Sequence, residues 1–215
     1  MVRIGGGVTL VALAAGLVMA FGVAPREVTQ GNVQRIMYVH VPSVWVAYLA
    51  FAVVLVASIV YLARRVEGAD RLAHASAEVG VLFTGLTIAT GSIWGKPTWG
   101  TWWTWDARLT SVSILFVMYL GYLLLRGMIE DPDQGARYAA VLGIVAAFNI
   151  PLVHFSVYWW RTLHQPPSLM KPGPGTMPGV IVAALMVNFV AFSLLYVYFV
   201  AKRVNLLRRE AEAAA

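Results

Sequence analysis

The chain has 215 residues, 60% of them hydrophobic and only 12% charged, with a formal charge of +6 at pH 7. A soluble domain carries about 25% charged residues, so this composition and a mean hydropathy of +0.72 assign most of the chain to lipid. The absence of cysteine excludes disulfides, thiolate metal sites and CxxC redox chemistry.

A helix needs about 17–25 apolar residues to cross a hydrocarbon core. Six stretches qualify, near 4–24, 43–63, 78–95, 109–127, 138–158 and 179–201. In the first, Arg3 precedes an apolar run that closes on Gly22-Val23-Ala24, as in a signal peptide. The run exceeds the about 7–15 residues of a signal core, which favours a retained helix. The second and sixth stretches, Ser43 to Ala63 and Gly179 to Ala201, hold no charge. The third and fourth are short and use Trp and Tyr ends to reach the interface. In the fifth, His154 follows Asn149 and Pro151. An ionisable residue inside a membrane helix is a functional candidate, but polar groups also repair the carbonyl that a proline such as Pro151 frees near Ala147. Both readings stand open. The blocks are continuously apolar rather than alternating, which selects helices over a barrel. The expected fold is all-α: a polytopic membrane protein with six transmembrane helices, forming a single domain over 1–215.

Lysine and arginine set the orientation. One face collects Arg3, Arg64, Arg65, Arg71, Arg126, Arg137, Lys202, Arg203, Arg208 and Arg209; the other collects Arg26, Arg35, Lys96, Arg108, Arg161 and Lys171. The positive-inside rule puts the richer face, and both termini, in the cytoplasm. The basic balance is then a topology signal and requires no nucleic acid. The inner loops, 64–77 and 128–137, are short and charged, and His74 there, beside Arg71 and Glu78, reads as solvated. The outer loops, 25–42, 94–108 and 159–178, hold most tryptophans and prolines and two of the four histidines, His40 and His164. Function is expected on the outside.

Residues 94–108 contain five of the eight tryptophans. An interfacial aromatic belt places one or two rings at each helix end, not five in one loop. Gly95 and Gly100 permit close backbone approach and Pro97 is expected to set a turn. The result is an apolar shelf suited to a large planar ligand with one charged edge. Asp106 suits the start of the fourth helix, where the dipole favours an acid. Arg108 is unfavourable there on its own, so it faces an anion, either Asp106 or a ligand carboxylate held bidentately.

The pattern Trp-Gly-x-x-x-Trp-Gly-x-x-Trp-x-Trp-Asp-x-Arg-Leu-Thr, residues 94–110, resembles the tryptophan-rich WWD signature of haem-handling proteins in cytochrome c maturation. Two flanking segments narrow it: Arg35-Ile36-Met37-Tyr38-Val39-His40-Val41-Pro42 and Trp159-Trp160-Arg161-Thr162-Leu163-His164-Gln165-Pro166. With six spans and this length, the chain resembles the CcmC family from about residue 30 to 200. The resemblance implies a haem b site on the extracytoplasmic face of the inner membrane, with His40 and His164 as axial ligands of the iron. Two imidazoles neutral on their coordinating nitrogens are what such ligation needs. Arg35 and Arg108 are expected to hold the propionates, with Lys96 and Arg161 in reserve; Trp94, Trp99 and Trp105 would contact the porphyrin, and Asp106 would complete the site. The implied partners are the membrane-tethered haem chaperone CcmE, which is loaded with haem, an ABC-type CcmA/CcmB complex, and the small subunit CcmD. The chain itself has no Walker-type loop for ATP hydrolysis and no cysteine for thioether formation. Two other readings remain: a small secondary transporter, and a purely structural subunit that docks a partner through its tryptophans. The first expects polar features at the midplane, where only Asn149, Pro151 and His154 lie.

Overall fold

A computed structural model describes residues 2–166 and 177–214; Lys171, counted above on the outer face, lies outside the described residues. Helix α1 (Val2–Val18) runs into a π-helical turn, Met19–Val23. A 3-10 turn, Val33–Ile36, leads into α2 (Met37–Arg64), followed by α3 (Glu67–Trp99) and α4 (Ala107–Met128). The fifth hydrophobic stretch is two helices, α5 (Pro132–Ala147) and α6 (Asn149–Trp159), and α7 (Gly179–Ala214) closes the chain. Six segments are long and apolar enough to cross a membrane: Gly5–Val23, Val33–Arg64, Glu67–Trp99, Ala107–Met128, Pro132–Trp159 and Gly179–Ala213. The fold is all-α and polytopic, as the hydropathy pattern requires.

Three boundaries differ from the sequence expectation. The loop expected at 64–77 shrinks to Arg65 and Val66, because α3 begins at Glu67 with Glu67 and Asp70 in its first turn, where acids oppose the positive end of the dipole. Arg65 takes a left-handed conformation, φ 55°, and returns its N–H to Tyr61 O at 2.8 Å. Second, Pro97 does not set the turn of the tryptophan segment. The helix continues to Trp99 and stops at Gly100, whose φ of 79° and N–H bond to Lys96 O at 3.0 Å make the left-handed cap. Only glycine adopts that conformation without a Cβ penalty. Third, His40 lies inside α2, one turn from its start, rather than before it.

The break in the fifth stretch falls at Phe148, three residues before Pro151. Pro151 is thereby placed in the first turn of α6, where its missing N–H costs nothing. Asn149 fastens the break to α4 by donating to Ser111 O at 2.8 Å.

The centre of the bundle is built on α2 and α3. A Cβ at Gly80 would overlap the Phe51 ring, so the glycine is what lets these helices meet. Phe51 in turn stacks on Tyr119 of α4, with centroids 3.7 Å apart. Helix α1 lies along α7, tied by Asn188, which donates to Gly16 O at 3.1 Å.

The arginine-rich end is cross-linked by ions. Arg126 of α4 grips Asp70 of α3 bidentately, at 2.6 and 2.7 Å. Arg203 of α7 does the same to Glu78 of α3, at 2.6 and 2.9 Å. His74 is not free in water, as its position in a charged loop suggested: its Nε2 lies 3.2 Å from Glu78 Oε1, one helical turn away. The opposite, tryptophan-rich end carries the cavity described next.

Candidate functional site

The cavity opens at the tryptophan end, among α2, α3, α4, α6 and the segment after α6. It holds about 970 Å³ of empty space including its open mouth. Aliphatic side chains such as Val44, Ala47, Val112 and Leu115 line it, and its polar groups are few: His40, Tyr48, Thr87, Arg108 and His164 among them. Trp94 and Trp99, from the last turns of α3, complete the wall.

Each of the two histidines makes a hydrogen bond through Nδ1. His40 is buried, at 8% exposure, and its Nδ1 lies 3.0 Å from Thr90 Oγ1. Thr90 Oγ1 is closer to Leu86 O, at 2.7 Å, and with its proton placed on that carbonyl its oxygen accepts from His40 Nδ1–H. His164 Nδ1 lies 2.8 Å from Gln165 O, and a carbonyl only accepts, so Nδ1 is again the protonated nitrogen. In a neutral imidazole the other nitrogen then holds a lone pair. Both Nε2 atoms are left without a hydrogen-bond partner among the described residues. Burial, and next the positive charge of Arg108, hold His164 below the ordinary histidine value of 6.5, against the raising effect of the Gln165 bond and of Asp106. His164 is therefore neutral at pH 7.

The indoles are oriented rather than free. Trp94 donates Nε1–H to Gln30 Oε1 at 2.8 Å and meets the His40 ring edge-on, with centroids 5.8 Å apart. Trp99 lies 6.0 Å from the His164 ring. Arg108, at the start of α4, donates to His154 O at 2.9 Å and to Ser156 Oγ at 3.4 Å. Among the described residues two of its five N–H donors are thus used, which leaves three to face an anion at the cavity wall. Arg108 is the only cation lining the cavity among the described residues.

Three other expected site residues do not line the cavity. Arg35 turns its guanidinium to the π-helical turn, donating to Ala20 O and, at 3.1 Å, to Ala24 O. Asp106 accepts from Leu109 N at 2.9 Å, capping α4, and from Leu163 N at 3.0 Å. Both its oxygens are committed to backbone, and the second fastens the residue before His164. Trp105 is 76% exposed and packs edge-on against Trp103. Lys96 donates to Gly100 O at 3.0 Å, closing the end of α3. His154 lies beside Tyr48, with centroids 6.4 Å apart, outside the cavity lining.

Sequence reasoning did not single out Gln30, Tyr48, Thr87 or Thr90. A signal for the last two was present: Thr87, Thr90, Gly91 and Trp94 recur at i, i+3, i+4 and i+7, a polar and aromatic stripe on one face of an otherwise apolar helix.

The description Heme exporter protein C, the CcmC family, matches residues 1–215 in full. The chain belongs to the CcmC family. It is 45% identical over 203 residues to Heme exporter protein C of Bradyrhizobium diazoefficiens, covering 94% of this chain and 77% of that one. It is 40% identical over 206 residues to Heme exporter protein C of Haemophilus influenzae, covering 95% and 84%. A putative cytochrome c biosynthesis ccmC-like mitochondrial protein of Marchantia polymorpha is 36% identical over 187 residues, covering 87% and 79%. This CcmC-family chain thus carries the family likeness along nearly its whole length, cavity included.

Proposed function

We propose that this protein takes haem b as cargo into the cavity at its tryptophan end, on the extracytoplasmic face of the inner membrane, and passes it to the chaperone CcmE for cytochrome c maturation. His40 and His164 hold the iron from α2 and from the segment after α6. Trp94 and Trp99 exclude water from the apolar porphyrin plane, and the three uncommitted N–H groups of Arg108 take a propionate. Without cysteine the chain forms no thioether to haem. CcmA, CcmB and CcmD work with it, since ATP hydrolysis has no loop here to support it. The exposed rings of Trp102 and Trp105 present a rim on which the chaperone docks.

The single observation that carries this reading is the shared state of the two histidines: one cavity, two imidazoles, each with Nδ1–H spent on the protein and Nε2 free. That donor set fits haem iron, and an apolar wall with one guanidinium that keeps N–H donors to spare fits a porphyrin bearing carboxylates at one edge. The relatives' names supply the export of haem and the biosynthesis of cytochrome c.

The test is an absorption spectrum of protein purified from haem-replete cells. Wild type is expected to show a Soret band, His40→Ala and His164→Ala to lose most of it, and His74→Ala to keep it. Full haem stoichiometry in both cavity variants would overturn the proposal. Trp99→Ala is expected to impair chaperone loading more than folding.

A further inference from the structure

Thr90 does not line the cavity, yet its position points to a role in setting His40. We infer that Thr90 is a positioning residue for His40: its hydroxyl fixes the imidazole tautomer and, with Gly91, seats the ring for iron. This rests on the proposed role of His40 as an axial ligand.

Threonines in membrane helices commonly donate back to the carbonyl one turn earlier. Thr84 does so to Gly80 O at 2.7 Å, and Thr98 to Trp94 O at 2.8 Å. Thr90 makes the same bond to Leu86 O, and in addition accepts from His40 across the α2–α3 interface. Among these three it alone meets a titratable side chain. Thr90 Oγ1 lies closer to the Leu86 carbonyl, at 2.7 Å, than to His40 Nδ1, at 3.0 Å, so the relay runs from His40 Nδ1–H to the Thr90 oxygen and from Thr90 O–H to the carbonyl. It leaves Nε2 as the only nitrogen able to bind a metal.

Gly91 makes room for that ring. A Cβ there would stand 3.0 Å from His40 Cε1, so a larger residue displaces the imidazole. Trp94, one turn further, closes the seat with its edge. The hydrogen bond also tunes the ligand. An acceptor on Nδ1–H raises the electron density at Nε2, which stabilises ferric over ferrous iron. His164 has no comparable side chain, because its acceptor is the backbone carbonyl of Gln165. The two histidines therefore differ in what orients Nδ1: among the described residues it is a side-chain hydroxyl for His40 and a backbone carbonyl for His164.

The experiment uses the full chain, purified and loaded with ferric haem, as wild type, Thr90→Val, Thr90→Ser, Gly91→Ala and His40→Ala. Thr90→Val is expected to weaken ferric haem binding by about 10–100-fold, as loss of an outer hydrogen bond does at other metal sites, and Thr90→Ser to restore most of it. In the Thr90→Val protein that retains haem, the midpoint potential is expected to rise. A tenfold loss confined to the ferric form corresponds to about 59 mV for one electron. Gly91→Ala, which leaves the hydroxyl in place, is expected to weaken binding by displacing the ring. It supplies the test should Thr90→Val fail to fold. Wild-type affinity and potential in Thr90→Val, or in Gly91→Ala if the first is not folded, with His40→Ala shedding haem, overturns the role of the seat. Unchanged haem in His40→Ala overturns the ligand assignment itself.

Discussion

His40 and His164 reach one cavity from unlike supports. His40 rides on a buried helical turn, held by α3; His164 sits on non-helical chain whose neighbour, Leu163, is tied to Asp106. The difference has a pH consequence. Burial and Arg108 both disfavour a charged His164, so it titrates below 6.5. Above that value Nε2 is free for iron; as pH falls through the lowered value, a proton takes the lone pair. The same sign holds for folding, where the neutral ring's contribution is lost as pH falls below 6.5, because the unfolded chain then binds the proton more readily. Haem retention is expected to stay flat from neutrality down to pH 6.5 and to fall only below it, followed by the Soret band during acid titration. A release midpoint above 6.5 contradicts the assignment. Removing the Asp106 tether acts on the same histidine. Asp106→Ala is expected to cost about 1 kcal/mol as a lost helix cap and to speed haem transfer to an apo-globin acceptor, with the Soret position unchanged. An unaltered transfer rate would remove Asp106 from the site.

The residues that stood out in sequence were those whose chemistry contrasts with an apolar background: His40, His164, Trp94, Trp99 and Arg108 all line the cavity. Arg35 was equally conspicuous, but its charge is spent on carbonyls of a π-helical turn, an element with no recognisable sequence pattern. Thr90 was inconspicuous for the opposite reason, since a threonine in a membrane helix ordinarily satisfies itself.

At the scale of elements, hydropathy located the six spans because each must bury about 20 apolar residues to cross a bilayer. It placed their ends less well. The charged start of α3 and the passage of the helix through Pro97 carry loop signals in the sequence, because charge and proline mark loops when judged alone. The caps decided both: acids at the first turn of α3 and glycine in the left-handed region at its end. That extension matters to the site, because it puts Trp94 and Trp99 on a rigid helix in register with Thr87, Thr90 and Gly91. The register depends on close contact of α2 and α3 at Gly80. Gly80→Leu is expected to drive Phe51 from its stack on Tyr119 and to destabilise by at least the about 1–3 kcal/mol of an overpacked core. Size-exclusion chromatography after heating would show it; a wild-type melting profile would contradict the packing described. Gly127→Ala, where a Cβ meets nothing within 4 Å, is the matched control.

Across the whole molecule the two ends are built differently. The arginine end is braced by bidentate ion pairs that join α3 to α4 and to α7, whereas the tryptophan end leaves polar groups uncommitted around an open space. The braced end holds the helices in place, and the uncommitted end is the proposed haem site. Loss of one brace, in Asp70→Ala, leaves the Arg126 charge partly buried and unpaired. It is expected to lower the melting temperature while the haem spectrum of the surviving folded protein stays as in wild type. A changed spectrum would couple the two ends and contradict this division. The claim on which the rest depends is that both imidazoles coordinate one iron. Electron paramagnetic resonance of the ferric haem-loaded protein tests it most directly: a low-spin bis-imidazole signal in wild type, replaced by high-spin signals in both His40→Ala and His164→Ala, is the predicted result. A low-spin signal that survives in both variants would contradict it.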